Sequence, residues 1–499
     1  MKYNNNVCDK NINFADCELT ILRLAVDKAE QKMGRRIVTS EDVIKIIQIV
    51  ENFIKRKNLI CYGGTAINNI LPKESQFYNK EYEIPDYDFF TTDSLKYAKE
   101  LADVYYKEGF TDVEAKSGQH HGTYKVYVNY IPVADITHIP KEIFNSLKKE
   151  ALRVGGILYA PPNFLRMSMY LELSRPAGDI SRWEKVLKRL IILNKYYPLT
   201  NLNCDKVDLQ RKMEAHADDA VHIYNSVSQT FINQGVVFFG GFAIAQYKKY
   251  MPYTQRKKVE QIADFDVLSN DPETTAEIVK ERLLDIGIHH VKIEKHAPIG
   301  EIIPLHYEIK VGKDTIAFIY KPIGCHSYNI ITIKGEKVKV ATIDTMLSFY
   351  LAFLYTNKPY YNEFMDRILC LSKFLFEVQQ QNRLKQKGLL KRFSITCYGR
   401  QEGLEEMRAA KAEKYKELKG KRGTKEYDEW FLHYVPDTDS PYGKSRKSST
   451  NYTTNNTKKG KKNATKATTR RENMKLKAKS KSTTNIINPY NKTRKTKFW

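Results

Sequence analysis

The sequence predicts an α+β protein made of two mixed-sheet modules in tandem, each carrying helices, with the second a degenerate copy of the first. Two observations predict this. The run Ile60–Ile70 (ICYGGTAINNI) returns as Val237–Tyr247 (VFFGGFAIAQY). Pro85–Phe90 (PDYDFF) returns as Ala263–Leu268 (ADFDVL), at a Gly-to-Asp separation of 24 in place of 23. Within each copy, short apolar runs with strand character alternate with stretches of helical periodicity, the pattern of strands and helices sharing one core.

A short N-terminal helical region includes Ser40–Val50, with Ser40 as its N-cap and Glu41 and Asp42 in the first turn. A strand then enters the Gly63-Gly64 turn, which opens a second helix. Asp86 and Asp88 follow on a strand, where positions i and i+2 share a face. Thr123–Ile136 reads as a two-stranded hairpin, with Val126 and Val128 on one strand and Val133, Asp135 and Ile136 on the other. An acid among Val133, Ala134, Ile136 and Ile139 is costly unless it is paired or bound to metal. If its strand lies beside that of Asp86 and Asp88, three carboxylates converge. Helices are expected over Pro162–Arg175, stopped by Pro176, and over Ile180–Ile191. In the second copy, Tyr307–Tyr320 overlies Tyr124–Thr137 without a gap, which puts Phe318 in the place of Asp135. Helices over Thr342–Tyr355 and Asn362–Leu371 close that copy. The expected organisation is an N-terminal segment (1–38), a first module (39–200), a degenerate module (201–385), a charged helical region (386–440) and a basic tail (441–499).

Two carboxylates held together repel and demand a cation, and hard oxygen ligands suit Mg²⁺ or Mn²⁺. With Asp135 as the third acid, the set Asp86, Asp88 and Asp135 suits two divalent ions roughly 3.5–4 Å apart. Gly63 and Gly64 let backbone N–H groups approach a triphosphate at a helix start, and Thr65 offers a hydroxyl. A lone Gly-Gly or D-x-D is commonplace. The ordered set, with Asp86 23 residues after Gly63 and Asp135 47 residues after Asp88, is far more specific. It resembles the nucleotidyltransferase superfamily that includes DNA polymerase β and the poly(A) polymerases, and on that resemblance the modules are DNA polymerase β-type. In the second copy the missing third acid argues for a scaffold or RNA platform.

A narrower resemblance rests on Tyr62–Asn68 (YGGTAIN), Pro85–Phe90, Ser174–Trp183 (SRPAGDISRW) and the degenerate repeat. Together these look like the poly(A) polymerase catalytic subunits of large nucleocytoplasmic DNA viruses, the giant-virus type more than the poxvirus type, over roughly residues 35–380. The resemblance implies template-independent addition of AMP from ATP to RNA 3′ ends. Asp86, Asp88 and Asp135 would be catalytic and metal-binding, and Gly63, Gly64 and Thr65 nucleotide-binding. It also implies a homodimer or a viral regulatory subunit, and residence in the virion and the host cytoplasm. The motifs do not themselves select ATP. Other acceptors (a CCA-adding, uridylyl or oligoadenylate-forming enzyme) and a non-catalytic RNA-binding scaffold remain as alternatives.

Composition fits a large protein with genuine cores: 499 residues, 42% hydrophobic. No apolar run approaches a membrane span and no secretory signal is evident, so no membrane partner is expected. The 82 basic and 58 acidic residues give a net charge of +24. From Pro441 onward there are 18 Lys and Arg against the single acid Glu472, so the tail carries +17 and the rest only +7. This polar, unperiodic stretch is expected to be a disordered polycation that binds RNA by counterion release. Seven scattered cysteines without a C-x-x-C pair predict neither a zinc knuckle nor a disulfide framework, hence a reducing compartment. Cys61 reads as a small buried strand residue, and the His120-His121 and His289-His290 pairs as loop or surface residues.

Overall fold

A computed structural model of the protein describes residues 13–199, 203–209, 217–251, 253–256, 259, 264–362 and 364–436. The basic tail expected over 441–499 lies outside the described residues. The helix Phe14–Val38 leads in with no buried residue. The helix Glu41–Lys57 follows, and its N-cap Ser40 accepts a hydrogen bond from the Val43 N–H, as expected.

The first module contains β1 (Ile60–Cys61), β2 (Tyr87–Thr91), β3 (Val113–Ser117), β4 (Thr123–Val128), β5 (Ile131–His138), β6 (Leu152–Val154) and β7 (Ile157–Tyr159). The second contains β8 (Val237–Phe238), β9 (Phe265–Leu268), β10 (Val291–His296), β11 (His306–Val311), β12 (Asp314–Tyr320), β13 (His326–Ile333), β14 (Glu336–Ala341) and β15 (Cys397–Tyr398). A last strand, β16 (His433–Tyr434), returns to the first sheet. The orders are β16-β3-β4-β5-β2-β1-β7-β6 and β10-β11-β12-β9-β8-β14-β13-β15. Seven successive strands correspond, β3-β4-β5-β2-β1-β7-β6 with β10-β11-β12-β9-β8-β14-β13, so the sequence repeat is a repeat of topology. In each sheet the D-x-D strand runs parallel to the hairpin's second strand and antiparallel to the strand before the Gly-Gly turn.

The hairpin of β4 and β5 turns through Asn129 and Tyr130, both at positive φ (49° and 65°), the left-handed pair that matches the twist of antiparallel strands. The equivalent helices Pro162–Leu173 and Ile343–Phe353 pack on each other and join the modules, with Phe164 edge-on to Tyr355 at 5.4 Å. Arg166 is 1% exposed and fastens the first of these helices to Trp183–Tyr196. Its guanidinium donates to Asn194 Oδ1 (2.6 Å), to Asn163 Oδ1 and to the Tyr197 carbonyl. These acceptors are neutral, and burial pulls its pKa down to about 10.

The charged region after residue 386 folds back on the first module. The helix Lys425–Phe431 docks through Asp428, which pairs with Lys99 at 2.6 Å, and β16 covers the edge of β3. The cysteines depart from expectation. Cys204–Cys370 and Cys325–Cys397 are disulfides with Cα atoms 5.7 and 5.1 Å apart. Their sequence separations of 166 and 72 leave no short-range spacing signal. Cys61 is buried and free, as read from the sequence.

Candidate active site

Strand pairing assembles the site. Asp88 on β2 stands directly opposite Asp135 on β5, and Asp135 opposite Lys125 on β4. Asp86 lies one residue before β2, on the same face as Asp88. The three acids singled out in the sequence therefore meet on one patch of one sheet. Burial, together with Asp86 and Asp135, pushes the Asp88 carboxyl up to about 7. Burial and Asp135 raise Asp86 as well. The Lys125 ammonium is bonded to Asp135 and is the nearest counter-charge, with its own pKa raised by that contact against the opposing pull of burial. Three crowded carboxylates, with Lys125 as their bonded cation and Arg182 also acting on Asp88, form a hard-oxygen set still short of positive charge, which fits divalent Mg²⁺ or Mn²⁺.

The Gly-Gly turn abuts these acids. Gly63 has φ +72°, and a Cβ there would lie 2.4 Å from Asp88 Oδ2, so the position accepts only glycine without rearrangement. The helix Gly63–Ile70 begins at this turn, with its free N–H groups beside the carboxylates. Thr65 is buried and its hydroxyl donates to the Asp86 carbonyl at 2.5 Å, which places it as a brace on the D-x-D segment. The Tyr62 ring stacks on Phe90 at 3.8 Å, and its hydroxyl bonds Thr137 at 2.9 Å.

The sequence reading did not single out a cationic wall over the turn. Arg182, Lys185 and Arg189 fall at i, i+3 and i+7, one face of a helix. A Cβ on Gly64 would sit 2.8 and 3.0 Å from the two Nη atoms of Arg189, and Arg189 donates to the Tyr78 hydroxyl at 2.6 Å. Arg189 and then partial burial lower the pKa of Lys185, with Arg182 adding to the effect. Cations held close enough to repel, above N–H groups at a helix start, make a cradle for a polyanion. The i, i+3, i+7 spacing was available in the sequence, but nothing there placed it over Gly64.

In the second module Asp266 stands opposite Phe318, as the gapless alignment required. Across the rung lies Glu308, bonded to His296 (2.9 Å) and Thr315 (2.6 Å). Burial alone would raise this carboxyl, but those bonds and Lys310 hold it near 2. Glu294, His296 and Glu308 could hold a metal by spacing. Lys310, however, lies 2.8 Å from Glu294 and 3.3 Å from Glu308, so the cluster already has its cation.

Residues 48–179 match the family described as "Poly(A) polymerase catalytic subunit". A protein of Acanthamoeba polyphaga mimivirus described as a poly(A) polymerase catalytic subunit is 25% identical over 344 residues, 63% of this chain and 58% of that one. A protein of African swine fever virus with the same description is 31% identical over 171 residues, 33% of this chain and 36% of that one. The chain thus spans under two thirds of each of these relatives. A crystal structure of the Megavirus polyadenylate synthase is similar in fold, with a TM-score of 0.69 and 20% identity over 82% of this chain and 85% of that one.

Proposed function

We propose that the protein is a template-independent poly(A) polymerase, adding AMP from ATP to RNA 3′ ends by two-metal nucleotidyl transfer. The observation that carries this is the pairing of Asp88 with Asp135, which brings both onto one patch with Asp86 beside a glycine turn that a side chain would block. ATP as the nucleotide and RNA as the acceptor rest on the descriptions of the viral relatives.

In this reading the N–H groups at Gly63 and Gly64, with Arg189 and Lys185, hold the β- and γ-phosphates. Asp86 and Asp88 would hold one divalent ion, and Asp135 would join them in holding a second. When bound, the ions lower the pKa of the RNA 3′-hydroxyl and offset charge on the phosphates. The 3′-hydroxyl gives its proton to water as its oxygen forms a bond to the α-phosphorus, the α–β bridging bond breaks, and pyrophosphate leaves. Most of the rate enhancement is positioning and charge neutralisation, and fixed groups on a rigid sheet supply both. Lys125 screens the acids until the ions replace it. The second module is a scaffold, and the basic tail is an RNA tether. The description "catalytic subunit" supports a companion subunit; a second copy in that place, and action in the virion and host cytoplasm, belong to this reading through the viral source of the relatives. Among the described residues no helix is long and apolar enough to cross a membrane.

Primer extension on a labelled oligo-RNA tests the proposal, with each NTP supplied separately together with Mg²⁺ or Mn²⁺. ATP-selective laddering that disappears in Asp86→Ala/Asp88→Ala is expected. Incorporation of another base keeps the chemistry and discards the ATP assignment. RNA binding with no incorporation favours the scaffold alternative.

A further inference from the structure

The reaction proposed above gives the site a direction. Along β2 the Gly-Gly turn lies at the Asp86 end, since the Tyr62 N–H donates to the Asp88 carbonyl (2.9 Å) and the Thr65 hydroxyl to the Asp86 carbonyl (2.5 Å). Pyrophosphate leaves at that end. In-line displacement requires the attacking oxygen to come from the other side of the α-phosphorus. There the same sheet face continues through Phe90 and Thr137, each two residues past a carboxylate and so about 7 Å along the strand. Both residues line a cleft of about 640 Å³.

We propose that this cleft holds the 3′-terminal nucleotide of the single-stranded RNA acceptor; the proposal rests on the adenylyl-transfer reading. Its volume falls in the range of small-molecule sites. Phe90 and Phe164 give it an apolar floor, and the loop Gly300–Ile302 of the second module faces them. Exposed His121 lines the mouth and lies 4.2 Å from the Trp430 ring, a ready platform for a base. Lys425 also lines the cleft, paired with Glu429 at 3.8 Å, so the aromatic platform and the apolar floor are the main contacts offered to the nucleotide. The wall is completed by the helix Lys425–Phe431, which lies outside the segment matched by the family. The returning C-terminal region thereby acquires a role as part of the acceptor site.

Two measurements on the full chain test this. RNA carrying a 3′-terminal 4-thiouridine is photo-crosslinked, and adducts are expected within residues 118–124 or 425–431. Adducts confined to other surfaces overturn the proposal. In steady-state extension, His121→Ala and Ser168→Trp are made; both positions are exposed, and the second fills the cleft from the helix Pro162–Leu173. Each is expected to raise the KM for RNA about tenfold, the scale of one lost stacking contact, with the KM for ATP unchanged. An unchanged RNA KM in both variants refutes the assignment. The two readings separate cleanly. Crosslinking in the cleft by a chain that incorporates no AMP sinks the polymerase reading and leaves the cleft as a binding site for an RNA 3′ end. ATP-dependent extension with adducts elsewhere does the reverse.

Discussion

Asp88→Asn should stabilise the metal-free protein. The Asp88 carboxylate accepts no hydrogen bond among the described residues, and its pKa stands at about 7 against an ordinary value of 3.8. At 1.36 kcal/mol per pH unit, that difference corresponds to about 4 kcal/mol of penalty on the ionised form. Solvent reaches part of the site, and screening brings the expected gain from the amide to about 2 kcal/mol. For a chain of this size, that is a rise in Tm of roughly 2–4 °C. The sign with pH follows from linkage. The folded state binds this proton more tightly than the unfolded state, so the stability it contributes is fully present below about pH 4 and is lost as pH rises through about 7. The gap between variant and parent should therefore be less than half as large at pH 5 as at pH 8. Scanning calorimetry in chelator measures it. Saturating Mg²⁺ should raise the Tm of the parent and close the gap. An Asn variant no more stable than the parent at pH 8, or a gap equal at pH 5 and pH 8, would refute the electrostatic account of the cluster.

Three further outcomes follow from the same geometry. Asp135→Asn should leave the circular dichroism spectrum unchanged and lower kcat at least about 10³-fold, the upper end for removing one charge-stabilising group; parental turnover would remove Asp135 from the catalytic set. Lys185→Met and Arg189→Met should each raise the KM for ATP about tenfold or more, as expected for a lost charge-assisted hydrogen bond, and leave the KM for RNA as it was. Arg166→Ala should cost about 3 kcal/mol in urea unfolding, because a buried side chain is lost and three half-buried acceptors lose their donor; a cost below 1 kcal/mol would show that the two helices hold together without it.

The acidic rung was legible because its signals are local. A Gly-Gly turn, a D-x-D between apolar residues and an acid in an apolar strand each leave a mark within a few positions, and β-pairing does the rest. The repeat was legible for the same reason, down to Phe318 in the place of Asp135. What escaped depends on long-range return of the chain. Cys204 meets Cys370 across 166 residues and Cys325 meets Cys397 across 72, so counting short spacings pointed the wrong way. The helix Lys425–Phe431 reads as a charged surface helix, and only the structure brings Asp428 to Lys99 and Trp430 to His121. The cationic wall was written plainly as Arg182, Lys185 and Arg189, but a helical stripe of cations is ordinarily solvated. It acquires meaning from Gly64, more than a hundred residues earlier.

A single rung across each sheet shows how the copies diverged. In the first module it reads Lys116, Lys125, Asp135, Asp88; in the second it reads Glu294, Glu308, Phe318, Asp266. The acid missing from the third position is matched by one at the second, where the first module has a lysine. That shift matters because strands are spaced about 4.8 Å apart. Glu308 is two strands from Asp266, about 10 Å, with the Phe318 ring between them, so the pair cannot share an ion. Glu308 instead turns outward to His296, Thr315 and Lys310, which satisfy it within the fold. The first module leaves three acids crowded around one ammonium. The second has a partner for its buried acid and fills the central position with an aromatic ring. One sheet has kept an electrostatic strain that a divalent cation would relieve, and the other has converted the same position into core.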